Sequence, residues 1–165
     1  MPHRVYIGIG SNLGDRKANT LEAVERVSKL PGTRLARASS FYESEPLGDA
    51  KTWFVNSVIE VETEFPPDAL LRRLKAIEAA MGRKRVKGKR WGSRVIDLDI
   101  LFCDQDVVEK RSLKIPHPEL HKRRFVLLPL AELAPQLIHP QLGQSVSGLL
   151  ATLKDEKRVT LLPRA

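Results

Sequence analysis

The chain has 165 residues, of which 42% are hydrophobic and 29% charged, and this size and balance predict a single globular domain over residues 1–165. No apolar run approaches the roughly 18 residues of a membrane span, and the N-terminus lacks a signal-peptide pattern, so we expect a cytoplasmic location and no membrane partner. The single cysteine, Cys103, excludes an intramolecular disulfide and a multi-cysteine metal site, and its place after an apolar strand favours a buried position.

The net charge of +8 is concentrated in one stretch. Residues 83–94 hold seven basic residues and no acidic one, and the rest of the chain is nearly balanced. A focused cationic loop beside carboxylates favours binding of a small polyanion with its metal, whereas a diffuse positive surface is typical of nucleic-acid or membrane binding. A solvated charged loop remains an alternative. The basic residues are Arg83, Lys84, Arg85, Lys87, Lys89, Arg90 and Arg94.

The first predicted strand, residues 4–10, has two unlike faces. One face carries Val5, Ile7 and Ile9. Gly8 and Gly10 leave the other face bare, so another group can come close to the backbone there.

A turn and a helix that ends at Pro31 follow the first strand. A Gly-x-Gly before a helix is also found in dinucleotide-binding folds. The spacing of Gly8, Gly10 and Gly14 does not match the full Gly-x-Gly-x-x-Gly pattern, so we reject that interpretation.

Two further strands are predicted at residues 34–42 and 54–63, separated by a loop with Pro and Gly turn markers. Phe54 and Asn56 share a face at the start of the later strand. An aromatic ring and an amide so placed could bind a flat polar heterocycle. They could equally be an edge aromatic and a strand-entry amide, and the sequence leaves both interpretations open.

The second predicted helix opens at Pro66-Pro67-Asp68 and ends at Gly82. Glu78 lies on or beside the apolar stripe of this helix. Because a carboxylate there needs a partner, we expect a structural pairing with the following arginine cluster rather than a catalytic role.

The strand at residues 95–102 carries two carboxylates on one face. Side chains alternate along a strand, so Asp97 and Asp99 point one way, with Cα atoms roughly 6.5 Å apart. The opposite face is predicted to carry Ile96, Leu98, Ile100 and Phe102. Like charges on one strand face repel each other, which favours a bound cation; a solvated face on an edge strand is the alternative.

The remaining chain predicts helices over residues 125–134 and 144–153 and a short strand over 158–162. The order β-α-β-β-α-β predicts an α+β, ferredoxin-like sandwich, with helices on one face of a mostly antiparallel sheet. Two carboxylates, a cationic loop and a glycine-faced strand together favour Mg²⁺-dependent phosphoryl-type transfer. The sequence contains no P-loop motif, and no Ser/His/Asp or Cys/His arrangement is evident.

Several motifs occur together in a consistent order from about residue 6 to residue 135. They are Tyr6-Ile7-Gly8-Ile9-Gly10-Ser11-Asn12-Leu13-Gly14-Asp15, Ser40-Phe41-Tyr42, Pro46-Leu47-Gly48, Phe54-Val55-Asn56, Arg90-Trp91-Gly92-Ser93-Arg94, Asp97-Leu98-Asp99, Pro116-His117-Pro118 and Arg123-Arg124-Phe125-Val126-Leu127. In this combination the sequence resembles the 6-hydroxymethyl-7,8-dihydropterin pyrophosphokinases of folate biosynthesis. The resemblance implies transfer of diphosphate from the co-substrate ATP to the hydroxymethyl oxygen of the pterin, with release of AMP.

The resemblance also implies roles for individual residues. Asp97 and Asp99 would bind two Mg²⁺ ions. The residues implied in catalysis are Arg83, Arg85, Arg94, Asp97 and Asp99. Those implied in ATP binding are Arg85, Arg94, Ile100, His117 and Arg123. Those implied in pterin binding are Gly10, Ser44, Leu47, Phe54, Asn56, Trp91 and Phe125, with Trp91 closing over the site. Glu45 and Lys75 depart from the family pattern, and His3, His121 and His139 match no family role.

The partners implied are small molecules, ATP and the pterin, with no nucleic acid, and we expect a monomer. Two other functions are weighed against this one. A nucleic-acid-binding module would use the basic loop and Trp91, but it leaves Asp97 and Asp99 unexplained because carboxylates repel a phosphate backbone. A metal-dependent phosphoesterase explains the carboxylates but leaves the pterin-pocket motifs unexplained.

Overall fold

The structure is a computed structural model that describes residues 2–46, 52–82 and 94–163. Its strands are β1 (His3–Ser11), β2 (Thr33–Ala38), β3 (Tyr42–Ser44), β4 (Phe54–Thr63), β5 (Asp97–Cys103), β6 (Val108–Glu109), β7 (Lys114–Ile115) and β8 (Val159–Leu161). Its α-helices are α1 (Arg16–Ser28), α2 (Pro67–Ala80), α3 (Arg124–Leu133) and α4 (Val146–Ala151). A single helical turn, Leu120–Lys122, precedes α3.

The main sheet is organised around β1 and β4. Its strand order is β5-β1-β4-β3-β8, with β2 paired to the second half of β4. Every pairing described in this sheet is antiparallel, and β1 lies against β4 along its whole length, from His3 opposite Thr63 to Ser11 opposite Val55. The α+β fold with an antiparallel ferredoxin-like sheet is therefore confirmed.

The predicted strand over residues 34–42 is wrong as a single element, because the chain breaks it into β2 and β3. At the break, the side chain of Ser39 takes the place of a backbone acceptor: its Oγ accepts a hydrogen bond from the backbone N–H of Val58 at 2.9 Å. The backbone N–H of Ser39 donates to the carbonyl oxygen of Val58, also at 2.9 Å. A serine hydroxyl that competes for backbone groups in this way interrupts a strand.

The first hydrophobic core lies between α1, α2 and one face of the sheet. Asp15 precedes helix α1 as its N-cap, and its carboxylate accepts a hydrogen bond from the N–H of Ala18 at 3.1 Å. The helix buries Ala23 and Val27 against the apolar face of β1. Helix α2 starts with Pro67 at its first turn, where the missing proline N–H costs no hydrogen bond. Its buried apolar residues are Leu70, Leu74 and Ile77.

A second core lies on the opposite face of the sheet, under α3 and α4. It joins Tyr6, Val58 and Leu101 to the apolar residues of these two helices. The prediction of helices on one face therefore describes α1 and α2 only. The chain after β5 supplies the two helices that cover the other face, and no helix in the described ranges has the length and apolar character of a membrane span.

One residue of β5 lies on a different face from the one predicted. Opposite β1 the register shifts, so that Ile7 pairs with Ile100 but Tyr6 pairs with Phe102, and Leu101 is the extra residue of a β-bulge. Phe102 therefore packs edge-to-face with Tyr6 in the second core, at 6.4 Å between ring centroids, instead of joining Ile100 in the first. Cys103 returns to the first core and is buried, as predicted.

Candidate active site

A cavity of about 450 Å³ opens on the face of the sheet that also carries the second core. Its floor is formed by β1, β4 and β5, and its wall by the segment from His117 to Val126. Both carboxylates predicted on β5 line it, together with Arg94.

The bare glycine face of β1 forms part of the cavity floor, as the sequence predicts. A Cβ atom at Gly10 would lie 3.1 Å from Nδ2 of Asn56 and 3.5 Å from Cδ1 of Phe54. A Cβ atom at Gly8 would lie 3.4 Å from Leu101, which is ordinary contact. Any side chain at position 10 would narrow the part of the cavity next to Asn56, so glycine is needed there to keep the present space.

Asn56 is held in one orientation by its neighbour across the sheet. Ser44 on β3 donates a hydrogen bond from Oγ to Oδ1 of Asn56 at 2.5 Å, and both side chains are buried. Because the amide oxygen is occupied by this bond, the amide NH₂ group is the part of Asn56 that can donate to a cavity ligand. Phe54 and Phe125 line the same region and provide flat apolar surface.

The strand that carries Ser44 is fixed to α3. Tyr42 donates from its hydroxyl to Glu132 at 2.7 Å, and the backbone N–H of Ser40 donates to the same carboxylate at 2.9 Å. Burial, followed by the neighbouring Glu132 carboxylate, raises the pKa of the Tyr42 phenol, so it stays a donor. The position of Ser44 is therefore determined by packing between β3 and α3.

Asp97 and Asp99 lie at the start of β5, opposite Gly10 and Gly8 respectively. Nη1 of Arg94 is 3.5 Å from Oδ1 of Asp97. Two carboxylates on one strand face offer the hard oxygen donors that Mg²⁺ requires, so the residues fit a magnesium site.

Glu78 on α2 fixes the backbone between these carboxylates. Its Oε2 accepts a hydrogen bond from the N–H of Leu98 at 2.8 Å, and its side chain is buried. The sequence predicts a structural role for Glu78, and this bond agrees with it. The expected pairing with the arginine cluster falls largely on residues 83–93, which lie outside the described residues.

Arg94 is held by a contact that the sequence analysis missed. Its N–H donates to Oδ1 of Asn12 at 2.6 Å, and its carbonyl accepts from the N–H of Asn12 at 3.0 Å. Asn12 is buried, although its place in a turn-forming run suggested only a turn residue. The signal was weak because asparagine in a turn is ordinary.

His117 and Arg123 line the cavity from the segment that precedes α3. Nδ1 of His117 accepts from the N–H of Glu119 at 3.1 Å, so Nε2 is the nitrogen that can meet a ligand. Burial lowers the pKa of His117, and the Asp99 carboxylate opposes that effect. The Arg123 guanidinium carbon lies 5.6 Å from the ring centroid of Phe125. Glu119 also lines the cavity, which no sequence pattern indicated.

The structure does not bring every expected site residue into the cavity. Ile100 is buried in the first core, so only its backbone could meet a ligand on the other face. Arg83, Arg85, Leu47 and Trp91 lie outside the described residues. The described residues expected at the site that do line the cavity are Gly10, Ser44, Phe54, Asn56, Arg94, Asp97, Asp99, His117, Arg123 and Phe125.

The two departures from the family pattern differ in their surroundings. Glu45 lines the cavity, and its Oε1 accepts from the N–H of Arg158 at 2.7 Å and from its Nε at 3.2 Å. These bonds lower the pKa of the Glu45 carboxyl. Glu45 thereby connects the cavity rim to the segment that leads into β8. Lys75 is exposed on α2 and does not line the cavity.

Comparison with known proteins agrees with the family that the sequence motifs indicate. Residues 6–135 match the family model described as 7,8-dihydro-6-hydroxymethylpterin-pyrophosphokinase (HPPK). A protein of Pseudomonas aeruginosa named 2-amino-4-hydroxy-6-hydroxymethyldihydropteridine pyrophosphokinase is 43% identical over 92% of this chain and 92% of its own length. A protein of the same name from Haemophilus influenzae is 40% identical over 96% of this chain and 98% of its own length.

Solved structures give the same picture at the level of the fold. A wild-type Plasmodium falciparum HPPK-DHPS chain with SDX-DHP matches with a TM-score of 0.74 at 15% identity, over 92% of this chain and 44% of that chain. The present chain thus spans less than half of that longer protein, and at this identity the likeness concerns the fold alone. The family match covers most of the sequence, and the chain therefore belongs to the 7,8-dihydro-6-hydroxymethylpterin-pyrophosphokinase family.

Proposed function

We propose that this pyrophosphokinase of folate biosynthesis carries out its reaction in the cavity on β1, β4 and β5. The reaction transfers the diphosphate group of ATP to the hydroxymethyl oxygen of 6-hydroxymethyl-7,8-dihydropterin. The pterin oxygen forms a bond to the β-phosphorus, the bond from that phosphorus to the bridging oxygen breaks, and AMP leaves. The observation that carries the assignment is that Asp97 and Asp99 face the same cavity as the oriented amide of Asn56.

The pterin is assigned to the end of the cavity that contains Asn56. A pterin is flat and carries hydrogen-bonding groups along its edge, so it requires apolar faces and fixed polar partners. Phe54 and Phe125 supply the faces, and the Asn56 amide, fixed by Ser44, donates to a ring acceptor. Gly10 lets the ring approach the backbone. Leu47 and Trp91, which lie outside the described residues, are proposed to bind the pterin as well.

ATP is assigned to the end that contains His117 and Arg123. Because Nδ1 of His117 accepts from Glu119, a neutral ring carries its proton on Nε2 and can donate a hydrogen bond to the nucleotide without adding charge. Arg123 adds a fixed positive charge to the same wall, suited to phosphate oxygens. Arg94, and Arg85 from outside the described residues, would contact the transferred phosphates, and the backbone of Ile100 would lie by the adenine.

Asp97 and Asp99 are proposed to hold two Mg²⁺ ions. When bound, such ions neutralise phosphate charge and favour loss of the proton from the attacking hydroxyl. Arg94 lies 3.5 Å from Asp97 and compensates part of the negative charge of the pair. Arg83 is proposed to stabilise the developing charge in the transition state, together with Arg85 and Arg94.

The proposed partners are these small molecules, and the chain is expected to act as a cytoplasmic monomer without nucleic acid. The nucleic-acid alternative is disfavoured because Asp97 and Asp99 would repel a phosphate backbone unless cations intervened.

One assay tests the proposal against both alternatives. The protein is incubated with Mg²⁺, ATP and 6-hydroxymethyl-7,8-dihydropterin, and the nucleotide product is identified by ion-exchange chromatography. AMP that forms only when the pterin is present supports the proposed reaction. Formation of ADP, or ATP hydrolysis independent of the pterin, would contradict it.

A further inference from the structure

Four potential metal ligands meet at the end of the sheet farthest from the carboxylates of the cavity. The ligand atoms of His3, Cys103, Asp104 and Asp106 all lie within 4.8 Å of one another. Cys103 ends β5 and pairs with Val5, whereas Asp97 begins β5 and pairs with Gly10. Six residues of extended strand separate the cluster from Asp97 by roughly 20 Å, so the cluster is not part of the active site.

The backbone brings these residues together. The N–H of Asp104 donates to the carbonyl of Arg4 at 2.8 Å, and the N–H of Arg4 donates to Oδ1 of Asp104 at 2.9 Å. The remaining oxygen, Oδ2, lies 2.8 Å from Nδ1 of His3. The N–H of Asp106 donates to the carbonyl of Cys103 at 3.0 Å, which turns the chain back over the cluster.

The bulge at Leu101 is what places Cys103 in this group. His3 and Val5 lie on the same face of β1, since they are two residues apart. If Leu101 instead paired with Tyr6 in a regular ladder, Cys103 would lie opposite Arg4 and would point to the other face, towards the second core. With the bulge, the thiol is buried beside Val5 in the first core and lies near the His3 ring.

We propose that His3, Cys103, Asp104 and Asp106 bind a borderline transition-metal dication of the Zn²⁺ class. An imidazole nitrogen, a thiolate and two carboxylate oxygens are ligands that Zn²⁺ accepts in tetrahedral sites. With bond lengths of about 2.0–2.3 Å, tetrahedral ligand atoms stand roughly 3.3–3.8 Å apart, which is inside the observed spread. Mg²⁺ prefers oxygen ligands alone, so this site and the Asp97–Asp99 pair select different metals.

Binding exchanges a proton for the metal. Burial, followed by the charges of Asp104 and Asp106, raises the pKa of the Cys103 thiol to about 12, so the metal-free protein carries Cys103 as a thiol. The dication replaces that proton, a metal–sulfur bond forms, and the proton goes to solvent. Asp104 and Asp106 are exposed and give the ion an entrance from solvent.

The metal would join the first residue of β1 to the last residue of β5. These strands carry Gly10 and Asp97 at their other ends, so the ion would stabilise the sheet without touching the substrates. The His3 ring already lies 2.8 Å from the Asp104 carboxylate, and the test below distinguishes this contact from a metal site.

Cobalt substitution provides the test. Full-length protein, freed of metals with a chelator, is titrated with Co²⁺ and followed by absorbance. Cys103 is the only cysteine, so a thiolate-to-cobalt charge-transfer band reports this site alone. We expect the band to saturate at one equivalent, to disappear on addition of Zn²⁺, and to persist in excess Mg²⁺. The variant D97N should leave it unchanged and serves as the control for the Asp97–Asp99 pair.

Three ligand variants complete the test. C103S should lose the band, and H3Q and D106N should lower the Co²⁺ affinity by at least about tenfold. Zn²⁺ should raise the melting temperature of the wild type more than that of H3Q, and H3Q keeps the test valid if C103S does not fold. A wild type without the band, or a band with the same Co²⁺ affinity in H3Q and D106N, would overturn the proposal. None of these readouts depends on AMP formation, so a negative result for the metal site would not contradict the active-site assignment, and the reverse also holds.

Discussion

The buried carboxylate of Glu78 on α2 accepts a hydrogen bond from the backbone N–H of Leu98 at 2.8 Å, and Leu98 lies between the two carboxylates of the cavity. Within the described sheet β5 is an edge strand, so this N–H points away from β1 and has no strand to donate to. Helix α2 therefore fixes the segment that presents Asp97 and Asp99, from the side opposite to the cavity.

Replacement of Glu78 by leucine should weaken both the fold and the reaction. It leaves the Leu98 N–H buried without this acceptor, which costs about 1–3 kcal/mol in the free energy of unfolding. It also loosens the metal-binding segment, so kcat should fall more than the KM for ATP rises. E78Q keeps an acceptor oxygen and should retain more of both. Urea unfolding and steady-state AMP formation measure the two effects, and equal behaviour of the two variants would argue against a positioning role.

Asp97→Ala should abolish measurable turnover. Loss of a metal-binding carboxylate removes several kcal/mol of transition-state stabilisation, and about 4 kcal/mol corresponds to roughly a 10³-fold lower rate. The measurement is pterin-dependent AMP formation at saturating Mg²⁺. The control is D68A, which removes a solvent-exposed carboxylate in the first turn of α2 that contacts Lys110 and does not line the cavity. An active D97A enzyme would refute the metal assignment.

Gly10→Ala should raise the KM for the pterin by about tenfold, equivalent to about 1.4 kcal/mol of binding. The added methyl group would lie 3.1 Å from Nδ2 of Asn56, where the pterin is proposed to bind. The matched variant G8A places its methyl group in ordinary contact with Leu101 and should have a smaller effect. Initial-rate kinetics with the pterin varied at fixed ATP give both values. A larger rise for G8A than for G10A would contradict the assigned pterin position.

Ser44→Ala tests the orientation of the Asn56 amide. Without the Ser44 hydroxyl the amide loses the bond that fixes it, and a neutral buried hydrogen bond is worth about 0.5–1.5 kcal/mol. We expect the KM for the pterin to rise up to about tenfold while the KM for ATP stays the same. S28A, an exposed hydroxyl on α1, is the control. An increase in the KM for ATP alone would place the Ser44–Asn56 pair at the wrong end of the cavity.

Stability should decrease as the pH falls below about 6.5, partly because of His139. Burial, followed by the nearby His121, lowers the pKa of His139 from the ordinary value of 6.5. At pH values between 6.5 and the lower pKa that His139 has in the folded protein, this histidine is protonated in the unfolded chain but not in the folded one. Lowering the pH in this range therefore decreases the free energy of unfolding by up to about 1.4 kcal/mol per pH unit. Above 6.5 this contribution is constant.

The variant H139N isolates that contribution. An asparagine oxygen can replace Nδ1, which accepts from the N–H groups of Gln141 and Leu142, but it does not titrate. The free energy of unfolding, measured with urea from pH 5 to 8, should depend less on pH in the variant between 5 and 6.5. Parallel curves for the two proteins would show that His139 does not cause the effect.

Two of the predictions that rest on the two-residue alternation of strands agree with the structure. Two-residue alternation placed Asp97 with Asp99, and Phe54 with Asn56, on one face each, and the structure lines the cavity with all four. The same alternation was wrong at Phe102, because a bulge is a backbone event that the residue pattern does not record.

Features that depend on distant partners could not be predicted. The break at Ser39 requires the opposing N–H of Val58, and the role of Asn12 requires Arg94, which is 82 residues away in the chain. Serine and asparagine are ordinary residues at strand ends and turns, so the sequence alone does not indicate these two contacts. Glu119 was missed for the same reason, since its place in the cavity depends on how the segment before α3 packs.

The extra residue at Leu101 also sets a rule for how this part of the chain can change in length. Deletion of Leu101 would remove the bulge but would keep Phe102 opposite Tyr6 and Cys103 opposite Val5, so both side chains would keep their faces. The deletion would instead remove a side chain that is buried in the second core and lines the cavity, and it would leave a gap there. We therefore expect homologous sequences to keep a residue at this position, and length changes to concentrate in the turn that follows β5.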